Sequence, residues 1–213
     1  RVKFNKNIIA AEKDTSDKIL IFSTEDNNLY IHHYDQPDKN IFDIIPMGGQ
    51  VTAIAYYADK DVIYFGLKSG ETGYIKYKNK NDGKYQPVYR NDLGSRITAV
   101  QFFTSSNTNY FLATSYGGQA VVYELGSAKD EAKFDSTYLV PNKMLPGIEL
   151  PEYKGAINKA HYDPGKKRIV LVTSKGTYLW NPFADELLSD LKSRLDFKNQ
   201  APGRLTGEKI KFY

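Results

Sequence analysis

The chain has 213 residues, which is enough to bury an apolar core in one large or two small domains. Its 29 basic and 25 acidic side chains are interspersed and leave a formal charge of +4, so the coherent basic stripe of a nucleic-acid-binding protein is missing. Cysteine is absent, which excludes disulfides and thiolate metal sites, and no apolar run approaches the roughly 20 residues that span a bilayer. We therefore expect no nucleic-acid partner, no membrane segment and, since a lack of cysteine is compatible with a reducing compartment, a cytoplasmic location.

Short aromatic and β-branched runs recur along the chain and predict mostly β structure, since Tyr, Phe, Val, Ile and Thr suit pleated, half-buried surfaces. Four units are visible, and the second run of each is the clearest: residues 18–24, 61–67, 109–115 and 168–174. A polar turn and a third run follow each of these, closing on Tyr34, Tyr77, Tyr123 and Trp180. The closing aromatic residues lie roughly 40 to 60 positions apart, which is typical of repeated four-stranded units.

A first run precedes each second run, at residues 7–13, 51–57, 97–103 and 157–162. In the two clearest copies, 51–57 (VTAIAYY) and 97–103 (ITAVQFF), both faces of the predicted strand are largely apolar. That pattern indicates strands sandwiched between two neighbouring sheets. Fourth, outer strands are predicted at 40–45 and 85–90, and within the proline-containing insertion 126–154 in the third unit.

The second and third units resemble the WD-repeat pattern. Gly49 and Gln50 precede an apolar strand, a turn and a second strand that ends in a small residue, while Gly117 and Gly118 occupy the usual Asp-Gly turn and Tyr123 the usual Trp. In the fourth unit Lys175-Gly176 and Trp180-Asn181 stand at the corresponding places. The resemblance covers about 180 residues and implies an all-β, WD-repeat-like β-propeller with about four four-stranded blades. An ordinary β-sandwich with chance alternation is the alternative fold.

Departures from the WD-repeat pattern affect what holds the blades together. No unit has the Gly-His pair or a complete Trp-Asp, so the buried hydrogen-bond network of well-kept WD repeats cannot form, and apolar packing between blades is expected instead. We place the blades approximately at 1–46, 47–92, 93–154 and 155–180, followed by a C-terminal helix and tail at 181–213. WD-type propellers usually need about seven blades to close, so the resemblance implies a fragment of a larger propeller or an edge covered by another chain.

The period changes after Trp180. Asn181 can cap a helix, Pro182 suits the first helical position, and leucines then recur at three- and four-residue steps, which predicts an amphipathic helix over 182–195. The helix, the segment 204–208 (RLTGE) and the terminal Tyr213 are similar to the ends of WD-repeat regions in bacterial signal-transduction NTPases. That similarity implies a signalling protein with an enzymatic domain upstream.

Catalytic and metal-binding patterns are missing from the sequence. His32 and His33 are neighbours on a predicted strand and point to opposite faces, and His161 stands alone, so a metal site is not expected. There is neither a Gly-x-Ser-x-Gly elbow nor a Walker motif. We expect no catalytic residue, no cofactor and no metal in this chain.

The sequence therefore predicts a non-catalytic protein–protein interaction scaffold or sensor module within a larger multidomain protein. Its partners would be other proteins or the remaining blades of the same propeller. Recognition residues are expected in loops between rigid strands, before each first strand and after each second strand. These positions are Asn27, Gln50, Lys68, Arg96, Tyr116, Lys154 and Lys175. The alternative is a ligand-binding or hydrolytic small propeller with an axial site, which would place carboxylates or histidines on the inner strands, where this chain has mostly Ala, Val, Ile and Tyr.

Overall fold

The computed structural model describes residues 5–14, 16, 18–35, 42–77, 85–128, 138–150 and 155–183. These residues form four antiparallel sheets, each following the last along the chain. The described residues contain no α-helix, and so no helix that is long and apolar enough to cross a membrane. The all-β class predicted from composition is confirmed.

The strands run in chain order within each sheet. Sheet 1 contains β1 (Ile8–Asp14), β2 (Ile19–Thr24), β3 (Asn28–His33) and β4 (Asp43–Pro46). Sheet 2 contains β5 (Val51–Tyr57), β6 (Val62–Leu67), β7 (Glu71–Lys76) and β8 (Val88–Asp92), with a short 3-10 helix, Ala58–Lys60, between β5 and β6. Sheet 3 contains β9 (Ile97–Ser105), β10 (Thr108–Ser115), β11 (Gln119–Ala128) and β12 (Tyr138–Met144), and β13 (Ile148–Glu149) also pairs with β11. Sheet 4 contains β14 (Ile157–Asp163), β15 (Arg168–Thr173) and β16 (Gly176–Trp180).

One backbone contact recurs in the first three sheets and closes each of them. The turn between the second and third strands contains a left-handed residue, which is Asn27 in sheet 1 and Gly70 and Gly118 in sheets 2 and 3. The carbonyl of that residue accepts a hydrogen bond from the amide of a buried apolar residue that follows the outer strand. The three bonds are Met47 N to Asn27 O (2.9 Å), Leu93 N to Gly70 O (3.0 Å) and Leu150 N to Gly118 O (2.8 Å). The first three sheets therefore share the same backbone structure at the end where the turn between their second and third strands lies.

Three apolar cores alternate with the four sheets. On β6, Ile63 and Phe65 pack into the core shared with sheet 1, whereas Val62 and Tyr64 pack into the core shared with sheet 3. Residues on the two faces of a strand alternate, so this single strand supplies both cores. A third core joins sheets 3 and 4 and includes Trp180. Sheets 2 and 3 are thus buried on both faces, as their doubly apolar first strands predict.

Stacked aromatic rings connect neighbouring sheets across these cores. Tyr64 of sheet 2 stacks on Phe111 of sheet 3 at a centroid distance of 4.8 Å, and Phe103 of sheet 3 stacks on Tyr162 of sheet 4 at 4.1 Å. Such pairs contribute about 0.5–1.5 kcal/mol beyond the area that they bury. Trp180, the only tryptophan, is fully buried, and its Nε1 has no hydrogen-bond partner among the described residues.

Two parts of the predicted architecture are not seen. Within the described residues, sheets 4 and 1 share no apolar core, so a closed propeller ring is not shown, and sheet 4 has three strands rather than four. The predicted C-terminal helix at 182–195 begins in the described part only with Pro182 and Phe183, which form a turn in which Phe183 N donates to Asn181 Oδ1 (3.0 Å). Residues 184–213, with the rest of that helix and the tail, lie outside the described residues.

Candidate interaction surface

Loops before the first strands and after the second strands are joined in pairs by backbone hydrogen bonds. Lys68 N donates to Gln50 O (2.8 Å) in sheet 2, and Tyr116 N donates to Arg96 O (2.8 Å) in sheet 3. The pairing follows from the antiparallel ladder, because the first strand begins where the second strand ends. We call this end of the four sheets the bulge end, because each first strand also carries a β-bulge there.

The bulges lie at corresponding places in all four first strands. The register of each strand shifts by one residue between Ile8 and Ala10, between Val51 and Ala53, near Ile97, and between Ile157 and Lys159. A bulge leaves one residue outside the ladder and re-aims its side chain. Repetition of the same irregularity four times indicates a shared structural role at this end.

Hydroxyl groups near the bulges connect one sheet to the next. Ser23 Oγ donates to Val51 O (2.8 Å) across the first boundary, and Thr52 Oγ1 donates to Ile97 O (2.6 Å) across the second. Each acceptor is the first residue of the next sheet's first strand. These buried or half-buried bonds fix where neighbouring sheets begin relative to each other, so the loops at the bulge end have a defined spacing.

Tyr116 and Arg96 form the most prominent side-chain feature of the bulge end. The Tyr116 side chain is 53% exposed, and the Arg96 guanidinium lies over its ring, 5.3 Å from the centroid. Ser95 Oγ accepts a hydrogen bond from Gly117 N (2.7 Å), which joins the same two loops a second time. Stacking of arginine on tyrosine restrains both side chains while leaving the opposite ring face accessible.

The other predicted recognition residues do not occupy corresponding positions in the different sheets. Asn27 closes the turn after β2, and Glu25 occupies the position that corresponds to Lys68 and Tyr116. In sheet 4 that position belongs to Ser174, whose amide donates to Ala156 O (3.3 Å). Lys175 follows it in the turn, where its amide donates to Thr173 Oγ1 (3.1 Å). Lys154 lies outside the described residues.

A groove of about 1160 Å³ opens beside Tyr116. Its described lining comes from the end of β8, the turn after β10, the starts of β11 and β13, and the loops of sheet 4 around Ala156 and Ser174. Leu93 and Leu150, the buried residues that close sheets 2 and 3, lie within it. The groove therefore crosses the bulge end of sheet 3 and reaches both neighbouring sheets.

Sequence patterns did not identify this groove. Its residues come from strand ends and turns between Asn91 and Ser174, which only the packing of sheets 2, 3 and 4 brings together. The local sequence pattern at the groove is a leucine followed by a turn after the outer strand. An ordinary core leucine gives the same pattern, so the pattern does not identify a groove.

A polar cluster around Asp26 organises the bulge end of sheet 1. The Asp26 carboxylate accepts hydrogen bonds from the side chains of Lys6, Thr24 and Tyr30, and from Asn28 N and Nδ2. Desolvation alone would raise the pKa of Asp26, but the hydrogen bonds from Lys6, Thr24 and Tyr30 outweigh it and lower that pKa below its ordinary value of 3.8. This carboxylate is satisfied by its own neighbours and so serves the local structure.

At the opposite end, a second polar cluster connects sheets 1 and 2. Tyr77 Oη donates to Asp43 Oδ2 (2.9 Å) and contacts His33 Nε2, and the Tyr77 and His33 rings stack at 5.9 Å. Burial, followed by the hydrogen bond to Asp43, raises the pKa of Tyr77. A tyrosine in that state is neutral at physiological pH and acts as a hydrogen-bond donor. Within the part of the chain that the structure describes, no three His, Asp or Glu side chains converge in a way that would hold a metal ion.

No protein-family model matches the chain, and no curated protein matches it with significance.

Proposed function

We propose that the chain is a non-catalytic protein-interaction module whose four sheets are WD-repeat-like propeller blades. Support comes mainly from one observation: the exposed Tyr116, restrained by Arg96, stands beside a groove of about 1160 Å³ at the bulge end. Tyrosine and arginine, together with tryptophan, are enriched among energetically dominant interface contacts. A rigid sheet scaffold that presents them from ordered loops favours recognition of a partner.

The repeated geometry of the sheets supports the propeller part of this proposal. Each sheet is a chain-order meander, each carries a bulge in its first strand, and the first three are closed by the same backbone contact. Sheets 1 to 4 also pack in chain order through three apolar cores. We propose that these blades belong to a larger propeller, completed by further blades or by another chain. It would act as a scaffold or sensor in a cytoplasmic signalling protein.

A site-specific photo-crosslinker tests this function directly. p-Benzoylphenylalanine replaces Tyr116 in one variant and Tyr34 in another; Tyr34 is 37% exposed and follows β3, at the opposite end of sheet 1. We expect a discrete protein to crosslink from position 116 and not from position 34, and excess unlabelled wild-type chain to suppress the product. Tyr116→Ala should then weaken binding of that purified protein at least tenfold, as interface anchors do.

Results from the two positions can also contradict the proposal. Identical products from positions 116 and 34, or a partner whose affinity is unchanged by Tyr116→Ala, would show that the bulge end is not the recognition surface. Circular dichroism of each variant provides the folding control, since Tyr116 is half-exposed and outside all three cores.

A further inference from the structure

We infer that two copies of the chain pair head to tail, with sheet 4 of each copy packed against the first strand of sheet 1 of the other. The four sheets of each copy would then follow one another in a closed ring. The inference rests on the proposed propeller arrangement and names the chain that completes it as a second copy. It follows from the contacts that recur between neighbouring sheets and from the residues that occupy the same positions on the two free faces.

Each junction between neighbouring sheets buries the first residue of a first strand. Val51 of β5, Ile97 of β9 and Ile157 of β14 are fully buried, each in the core that its sheet shares with the preceding one. Ile8 begins β1 and has the same place in the register, opposite the last residue of the second strand and ahead of the bulge. Ile8 is nevertheless 54% exposed. Sheet 1 therefore has the residue for a junction, and no preceding sheet covers it within the described ranges.

The free face of sheet 1 is open only along β1. Phe22 and Tyr30 lie further out on this face and are already buried, with the ring of Phe42 edge-on against both. Ala11 and Lys13 of β1 are exposed. The surface left for a docking sheet is thus a strip along the first strand, where the internal junctions also have their contacts.

Ile8 finds an apolar site at the corresponding place on sheet 4. At the internal junctions, the first residue of a first strand meets the next-to-last residue of the preceding sheet's second strand. Ile97 lies against Gly66 in this way, and Val51 O accepts from Ser23 Oγ. Val172 is the next-to-last residue of β15 and is only half-buried. Contact between the two would remove apolar surface of both from water.

Stacked aromatic rings mark a second contact, which two of the junctions share. Tyr57, the seventh residue of β5, stacks on Phe102, the sixth residue of β9, with ring centroids 3.7 Å apart. Phe103 and Tyr162 hold the same two positions in β9 and β14 and stack across the next junction. The seventh residue of one first strand therefore meets the sixth residue of the next.

On the free face of sheet 4, the seventh residue of the first strand is a carboxylate. Asp163 points away from sheet 3, because its neighbour Tyr162 packs into the core between sheets 3 and 4. Asp163 Oδ1 accepts hydrogen bonds from Gly165 N (2.9 Å) and Lys166 N (3.3 Å), which leaves Oδ2 available. No stacked pair can form at this face, and the partner that fits a carboxylate is a cation.

The free face of sheet 1 supplies that cation. Lys13 is the sixth residue of β1 and so takes the place of Phe102 and Tyr162. Its ammonium group lies over the Tyr34 ring, 5.3 Å from the centroid, and none of the described carboxylates forms a salt bridge with it. A head-to-tail junction therefore pairs Lys13 with Asp163 where the internal junctions have stacked rings.

The turns next to this pair are also opposite in charge. Lys167 Nζ donates to Ser106 Oγ (3.3 Å), so the turns after the first strands meet across the junction of sheets 3 and 4. In sheet 4 this turn contains the exposed basic run 166–168 (KKR), whereas the corresponding segment of sheet 1, 14–17 (DTSD), has two aspartates and no cation. The same turn-to-turn contact between two copies brings these charges together, and such complementarity favours this partner over an arbitrary one.

Sedimentation equilibrium of the full chain gives the first test. We expect a dimer of twice 24.2 kDa that does not grow into larger species, because both free faces of each copy are used. Ile8→Asp should weaken the dimer at least tenfold, whereas Met144→Asp, at a side chain that is 53% exposed on β12, should change its dissociation constant by less than about twofold. A monomer, whose free face must then be covered by something other than a second copy, or an open series of oligomers overturns the inference.

Charge-reversal variants test which residues meet. Lys13→Glu and Asp163→Lys should each dimerise at least tenfold more weakly than wild type, because each places like charges at both junctions. An equimolar mixture should form a dimer with one chain of each variant, since both of its junctions then join opposite charges. Native mass spectrometry with one variant 15N-labelled identifies the mixed dimer, and its formation shows that both variants are folded. Single variants that dimerise as tightly as wild type, or a mixture that remains monomeric, overturn the pairing.

Failure of the inference and failure of the proposed function give different results. A monomeric chain whose crosslinked partner is still lost in Tyr116→Ala overturns the pairing and leaves the interaction function in place. A dimer with the expected charge dependence, together with a partner unaffected by Tyr116→Ala, supports the pairing and overturns recognition at the bulge end.

Discussion

Gly66 of β6 lies directly against Ile97 of sheet 3. A Cβ atom at this position would be 2.2 Å from Ile97 Cγ2 and 2.5 Å from Ile97 Cβ, both inside the apolar core. No flexible side-chain end is available to move aside, because Ile97 is fully buried and β-branched. Close packing against Ile97 therefore explains why the second run of this unit ends in a small residue.

Substitution of Gly66 by alanine should consequently destabilise the protein. We expect Gly66→Ala to lower the free energy of unfolding by about 2–3 kcal/mol, the cost of overpacking a core, measured by urea denaturation. Gly49→Ala is the matched control, because a Cβ there would lie 3.5 Å from Leu67 Cδ1, an ordinary contact. Equal stability of the two variants would contradict the prediction.

Asp26 gives the molecule a defined pH dependence. Its pKa is lowered in the folded state, so it contributes stability above the unfolded pKa of about 3.9 and loses that contribution as pH falls through this value toward the folded pKa. The difference in unfolding free energy between wild type and Asp26→Asn should be constant from about pH 7 to pH 5 and should shrink below about pH 4. Asp35→Asn controls for removal of one negative charge. A difference that grows on acidification would contradict the assignment.

At the scale of single elements, the buried hydroxyl of Ser23 connects β2 to the next sheet. Ser23 Oγ accepts from Ala10 N (3.2 Å) and donates to Val51 O (2.8 Å), so it is bonded within sheet 1 and across to sheet 2. We expect Ser23→Ala to lower the free energy of unfolding by about 1–3 kcal/mol, because Ala10 N and Val51 O would each lose the hydrogen bond to this hydroxyl. Ser69→Ala removes an exposed hydroxyl that donates to Glu71 and should cost less than about 0.5 kcal/mol. Thermal or urea unfolding that ranks the two variants in the opposite order would contradict this role.

The strands themselves were predictable from sequence, whereas their register was not. The second runs at 18–24, 61–67 and 168–174 overlap β2, β6 and β15, because β-branched, aromatic and other apolar residues at these positions favour a strand. Gly66 and Thr173 are both small residues near the end of a second run, yet Thr173 lies opposite Ile157, the first residue of its first strand, whereas Gly66 lies opposite Ala53. All four first strands carry the same bulge, so the difference lies in the turn that follows: two residues separate Thr173 from its partner Gly176, whereas five separate Gly66 from its partner Thr72.

Across the whole molecule, stability should be graded from the central sheets to the outer ones. All six residues of β6 are buried and sheet 2 has a core on each face, whereas every described residue of β1 is at least partly exposed. Hydrogen exchange followed by mass spectrometry should therefore show β6 and β10 exchanging far more slowly than β1. Slow exchange throughout β1 would mean that sheet 1 unfolds only with the rest of the protein.

The candidate interaction surface was predictable only in part. Gln50, Lys68, Arg96 and Tyr116 follow from the order of strands, since loops next to the first strand must meet the end of the second. The groove did not follow from the sequence, because its lining residues from sheets 2, 3 and 4 meet only where one sheet packs on the next. Local patterns report which face of a strand is buried, and they carry no information on which residues of another sheet lie opposite.

Trp180 turns one of the sheet junctions into a spectroscopic observable. It is the only tryptophan and lies at the last strand of sheet 4, fully buried against sheet 3. Its intrinsic emission therefore arises from a single, dry environment, and a red shift reports water entering between sheets 3 and 4. When the far-UV circular dichroism signal and this emission are followed through the same denaturant titration, an emission midpoint at lower denaturant concentration would show that the fourth sheet detaches before the others unfold.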